Sequence, residues 1–104
     1  MHCDIHLPNI VFIQDHKDFP YVLIDFEHTR RADEPFEELL TVWDSKTLVN
    51  GQYTVLSELY QVGKMMDKFD AILSEQGKQF VAMLKGKQTA ANEALLHAWI
   101  NVTD

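Results

Sequence analysis

The chain opens on an alternation of apolar and polar residues: Cys3, Ile5 and Leu7 on one side, His2, Asp4 and His6 on the other. That period of two predicts a half-buried strand with the polar trio toward solvent. Pro8 lacks the N–H for a ladder bond, so the strand ends there or lies at an edge. Residues 9–14 are β-rich in composition, residues 15–18 (Asp-His-Lys-Asp) read as a turn, and a second apolar run follows Pro20 over residues 21–29. Strand alternation puts Val22, Ile24, Phe26 and His28 on one face of that run, and Tyr21, Leu23, Asp25 and Glu27 on the other. Two such runs joined by a polar loop predict an antiparallel hairpin.

From residue 33 the period becomes helical. Asp33 or Glu34 followed by Pro35 predicts a helix start, with a carboxylate at the cap and proline where its missing N–H costs nothing. Phe36, Leu39, Leu40 and Trp43 then recur at helical spacing, with Glu37 and Glu38 outward. Asn50-Gly51 fits either a two-residue hairpin turn or a helix start, and the helix is preferred. Val55, Leu59, Val62, Met66, Phe69 and Leu73 advance in alternating steps of four and three, a seam of about five turns. Gly77 reads as its terminator, with a further short helix marked by Phe80, Met83 and Leu84. Gly86 breaks that one. Thr89 is then expected to cap a last helix whose buried face is Ala91, Ala94, Leu95, Ala98, Trp99 and Val102. The pattern predicts one α+β domain over residues 1–104: strands in 1–29 forming an N-terminal antiparallel hairpin or small sheet, and a mainly helical 33–104 whose three or four helices cover it.

Charge divides the chain unevenly. Residues 1–44 hold ten acids and three bases, the whole of the net −7, whereas residues 45–104 balance six acids with six lysines. A negative surface argues against direct binding to nucleic acid or to anionic lipid, and makes a protein with a basic surface the natural partner. A single cysteine excludes an internal disulfide. The first residues lack a basic segment followed by an apolar one, and no apolar run is long enough to span a bilayer, so a cytoplasmic protein is expected.

Candidate chemistry is sparse. His2, Asp4 and His6, if they share a strand face, are sound ligands for a divalent transition metal, but so short a run is better explained as a solvated polar face. His28 with Asp25, Glu27, Arg30 and Arg31 would suit acid–base work on a phosphodiester, but alternation separates His28 from both carboxylates. The Asp15–Asp18 loop tip follows from turn chemistry, Glu93 and His97 from an i, i+4 helix pair, and Cys3 reads as a small buried hydrophobe. A helix-turn-helix over residues 80–102 would have a recognition helix without lysine or arginine. No catalytic site and no cofactor is therefore expected.

The remaining feature is an acidic patch formed by Asp25, Glu27, Asp33, Glu34, Glu37 and Glu38, which Arg30 and Arg31 interrupt. It reads either as a solubilising face or as a surface complementary to a basic groove. In general character a compact acidic chain without catalytic motifs resembles small phage- or plasmid-encoded inhibitors, although no residue motif ties it to a family. The expected function is a small acidic protein-binding module, an inhibitor or modulator of a basic, nucleic-acid-handling protein. Two alternatives stand beside it: a homodimer or assembly protein joined through Val55, Leu59, Val62, Met66, Phe69 and Leu73, and a small metal-dependent or nuclease-like enzyme.

Overall fold

The computed structural model describes residues 1–15, 18, 20–31, 44 and 46–100. Among these the order is a 3-10 turn (Leu7–Asn9), strand β1 (Ile10–Phe12), strand β2 (Tyr21–Leu23), helix α1 (Val55–Met66), a 3-10 stretch (Asp67–Ile72), helix α2 (Glu75–Lys85) and a single-turn helix α3 (Ala91–Ala94). The architecture is α+β, as the pattern predicts. The expected helix over Phe36, Leu39, Leu40 and Trp43 lies outside the described residues.

The two strands form an antiparallel hairpin with Ile10 opposite Leu23, Val11 opposite Val22 and Phe12 opposite Tyr21. Hydrogen bonds from Ile24 N to Asn9 O (2.8 Å) and from Ile13 N to Pro20 O (2.6 Å) extend the same register at both ends. The second strand stops well short of residue 29. Asp25 adopts φ 64°, a left-handed conformation that aspartate tolerates better than most residues and that no strand continues through. Residues 26–29 then close a turn, with Thr29 N bonded to Phe26 O at 3.1 Å.

The first residues are not a strand. Cys3 sits at φ 72°, which breaks the alternation. His2 and Asp4, expected toward solvent, are buried together with Cys3 and Asn9. Met1 and Arg30 exchange two backbone hydrogen bonds, Met1 N to Arg30 O at 2.6 Å and Arg30 N to Met1 O at 2.9 Å, which tie this segment to the end of the hairpin unit.

Helix α1 begins at Val55, the first residue of the seam, and later than a start at Asn50-Gly51 would place it. Asn50 and Gly51 both take positive φ and form the two-residue turn between Val49 and Gln52, so the hairpin-turn reading holds there and the helix-start reading fails. The start is set by Thr54, whose Oγ1 accepts from Leu56 N (3.2 Å) while Ser57 Oγ accepts from Thr54 N (3.0 Å). The α-helix ends at Met66, where the backbone tightens to 3-10 geometry, and the seam loses its register. Leu59, Val62 and Met66 pack on the core made by Phe80, Leu84 and Ala94, whereas Val55 and Phe69 are exposed.

Gly77 does not terminate a helix; it lies in the first turn of α2, where Ser74 Oγ caps its N–H at 3.1 Å. A Cβ there would come within 3.0 Å of Trp99 Nε1. Gly63 plays a comparable part between α1 and α2, where a Cβ would lie 3.2 Å from Leu84 Cβ and 3.3 Å from Val81 O. The last helix is shorter than predicted, and Ala90 rather than Thr89 stands at its cap. Ala94 is buried and Trp99 stacks on Phe80 with ring centres 5.3 Å apart, but Leu95, Leu96 and Ala98 are exposed. Successive i→i−3 bonds at Leu96 and His97 rotate the chain away from the 3.6-residue period that the sequence implied. Val102 lies outside the described residues.

Candidate functional site

Two surfaces stand out around the N-terminal half: an internal polar junction that locks the first residues down, and the hairpin that they support. Glu58 and Gln61 lie three positions apart on α1 and so project from one face. The Glu58 carboxylate accepts from His2 N (2.6 Å), Cys3 N (3.2 Å) and the Tyr53 hydroxyl (2.8 Å). Gln61 Oε1 accepts from Ile5 N (3.1 Å) and also lies 2.9 Å from the Tyr53 hydroxyl, which divides one proton between two acceptors. Two side chains of a helix thus take the place of a neighbouring strand for residues 2–5.

This junction decides the fate of the metal candidates. His2 Nδ1 accepts from Asp4 N at 3.1 Å, so its Nε2 carries the proton and donates to Ile24 O at 2.8 Å. Both ring nitrogens are committed, and His2 has no lone pair for an ion. Asp4 and His6 do meet, with Oδ1 to Nε2 at 3.3 Å, and Asn9 Nδ2 donates to Asp4 O and Oδ2. Among the described residues no group of three or more His, Cys, Asp or Glu side chains is arranged to hold a metal.

Burial of Cys3, reinforced by the Glu58 charge, pushes its thiol up to about 11. The same two causes raise the Tyr53 phenol well above its ordinary value. Neither group is set up as a nucleophile or acid at neutral pH.

Of the acidic patch, Asp25 and Glu27 are exposed. Asp33, Glu34, Glu37 and Glu38 lie outside the described residues. His28 Nε2 lies 3.1 Å from Glu27 Oε1, contrary to the separation that alternation implied, because the strand ends before either residue. Asp25 and Glu27 follow the hairpin in the chain. Phe12 and Tyr21 share one face with ring centres 5.3 Å apart, exposed by 58% and 68%. Val11 and Val22 on the opposite face, with Ile13, Ile24 and Phe26 beyond the strands, are exposed as well. A two-stranded ribbon with apolar side chains on both faces has little of its own to bury them against.

Tyr53, Glu58 and Gln61 were not legible as structural keystones, since polar residues spaced three apart on a helix read equally well as a solvated face. The exposed hairpin was legible as a hairpin but not as an exposed one. Comparison with known protein families, characterised proteins and solved structures finds no match. No helix among the described residues is long and apolar enough to cross a membrane.

Proposed function

We propose that this protein is a small non-catalytic module that binds a partner protein through its N-terminal hairpin and the acids around it. The exposed run of apolar residues on the hairpin carries this reading. Phe12 and Tyr21 on one face, Val22 on the other, and Ile13, Ile24 and Phe26 beyond the strands are all exposed, and such a concentration of exposed apolar side chains on a small protein commonly marks an interface. Charge complementarity names the partner's chemistry. Residues 10–27 carry Asp15, Asp18, Asp25 and Glu27 against Lys17 alone, so the complementary surface is an apolar cleft with a basic rim. A basic, nucleic-acid-handling protein of the cytoplasm is the most concrete partner, and inhibition or modulation the most concrete effect.

The test compares capture by the parent chain with capture by two variants, Phe12→Ser/Tyr21→Ser and Asp25→Lys/Glu27→Lys. Neither pair belongs to the core or to the Glu58 junction, so both variants should keep the parent far-UV circular dichroism. A partner held by the parent and lost by both, and released by added salt, is the expected result. A partner that both variants retain at parental affinity would sink the proposal.

A further inference from the structure

The neutral balance of the second half conceals a segregation. Five of the seven lysines (Lys46, Lys64, Lys68, Lys85 and Lys87) gather around one side of Tyr60. A groove of about 430 Å³ is lined by Asp44, Lys46, Tyr60, Lys64 and Lys85. A pocket of about 160 Å³ shares Asp44, Tyr60 and Lys64 with it and adds Lys68. Lys87 places its ammonium 5.1 Å from the centre of the Tyr60 ring, tethered to the carbonyl of Lys46.

The carboxylates among the described residues do not neutralise this cluster. Asp44 already accepts from Lys46 N (2.6 Å) and the Tyr60 hydroxyl (2.8 Å), and faces Lys64 Nζ at 3.5 Å. Burial opposes its ionisation, but these donors outweigh burial and hold its carboxyl below the usual value. Asp67 is bound to Lys85 at 2.5 Å, and Asp4 is engaged by Asn9 and His6. The ammonium groups of Lys46 and Lys68 have no partner among the described residues.

We propose that this groove, together with the pocket that shares Asp44, Tyr60 and Lys64 with it, binds a small phosphate-bearing ligand, a phosphomonoester or pyrophosphate group. The lining contains no arginine fork for a flat carboxylate. Ammonium groups act instead as compact point charges, which suit the multiply charged, roughly spherical phosphate. The net negative charge of the chain does not forbid this. At physiological salt, charges beyond about 8 Å are largely screened, so a dianion in the groove responds to the lysines around it.

The test is a titration of the ¹⁵N-labelled full chain with inorganic phosphate and with pyrophosphate, at constant ionic strength and with sodium chloride as reference. Saturable shifts at Lys46, Tyr60 and Lys64, with pyrophosphate the tighter ligand, are expected. Lys46→Ala/Lys68→Ala should weaken pyrophosphate binding by about tenfold, while the amide spectrum outside the groove stays parental. Shifts that sodium chloride reproduces, or equal affinity in the double variant, overturn the proposal. A single-stranded oligonucleotide binding more tightly than pyrophosphate would overturn it in favour of nucleic acid. The hairpin variant Phe12→Ser/Tyr21→Ser should bind pyrophosphate like the parent, which separates this site from the proposed protein interface.

Discussion

Replacing Glu58 by alanine should free the first residues from the helical half. The carboxylate holds three donors, two of them backbone N–H groups of His2 and Cys3 and the third the hydroxyl of Tyr53. Cys3 and Tyr53 are fully buried and His2 nearly so. Hydrogen bonds to a charged acceptor contribute about 1.5–3 kcal/mol each. The sum overstates the loss, because Glu58 is itself only half-buried and water can enter the space it leaves. A destabilisation of about 3 kcal/mol follows, a large part of the roughly 5–15 kcal/mol that a small domain possesses. Glu58→Gln keeps one carbonyl oxygen for a backbone donor and should cost about 1–1.5 kcal/mol. Urea unfolding followed by far-UV circular dichroism reads both, and the alanine variant should lower the midpoint by about 2 M at an ordinary slope. Hydrogen exchange supplies the local readout, since the amides of His2 and Cys3 should lose protection before those of α2. An alanine variant within about 0.5 kcal/mol of the parent, with protection at those amides unchanged, would refute the junction as a structural anchor.

Gly63→Leu should destabilise by about 1–3 kcal/mol, because the side chain meets Leu84 Cβ and the Val81 carbonyl and must push α1 from α2; a parental thermal midpoint would contradict that close approach. Cys3 should react slowly with maleimide at pH 8 in the native chain and rapidly in denaturant, since a thiol at about 11 rather than 9.0 holds about a hundredfold less thiolate. Equal rates in the two states would show that the thiol is neither buried nor shifted. The raised Cys3 and Tyr53 also fix an alkaline limit: unfolding releases groups that lose protons more readily in the open chain. The Cys3 contribution to stability is complete below pH 9 and fades as pH rises toward about 11, and that of Tyr53 begins to fade above pH 10, the ordinary value of a phenol. A thermal midpoint that stays level through that window would contradict the sign, and the Cys3→Ala/Tyr53→Phe variant should show a shallower alkaline fall than the parent.

The hairpin, the α1 seam and the α+β class were legible because each follows from local periodicity. Ile10–Phe12 and Tyr21–Leu23 are flanked by apolar residues at the right spacing, and Leu59, Val62 and Met66 sit on one helical stripe. What escaped depends on single backbone torsions and distant partners. A left-handed Cys3 turned His2 and Asp4 inward, a left-handed Asp25 cut the second strand, and the 3-10 stretch after Met66 took Phe69 out of register. Apolar periodicity does not encode such torsions. The junction escaped for another reason: Glu58 and Gln61 receive donors from residues 2–5, more than fifty positions away. The lysine groove was hidden by a sum of zero, since a count of charges does not record that Glu58 points to the junction while Lys64 and Lys68 line the pocket.

That long-range junction has a consequence for biosynthesis. Residues 2–5 leave the ribosome more than fifty positions ahead of the side chains that receive their amides, those of Glu58 and Gln61. Closing a loop of that length costs about 3.5 kcal/mol of chain entropy, so the docking does not precede α1. During translation the hairpin therefore emerges with its apolar side chains exposed and its base unclamped. A nascent chain stalled before Gln61 clears the exit tunnel would carry that ribbon on a free base, and one stalled beyond it would carry the same exposed ribbon on a base held by α1.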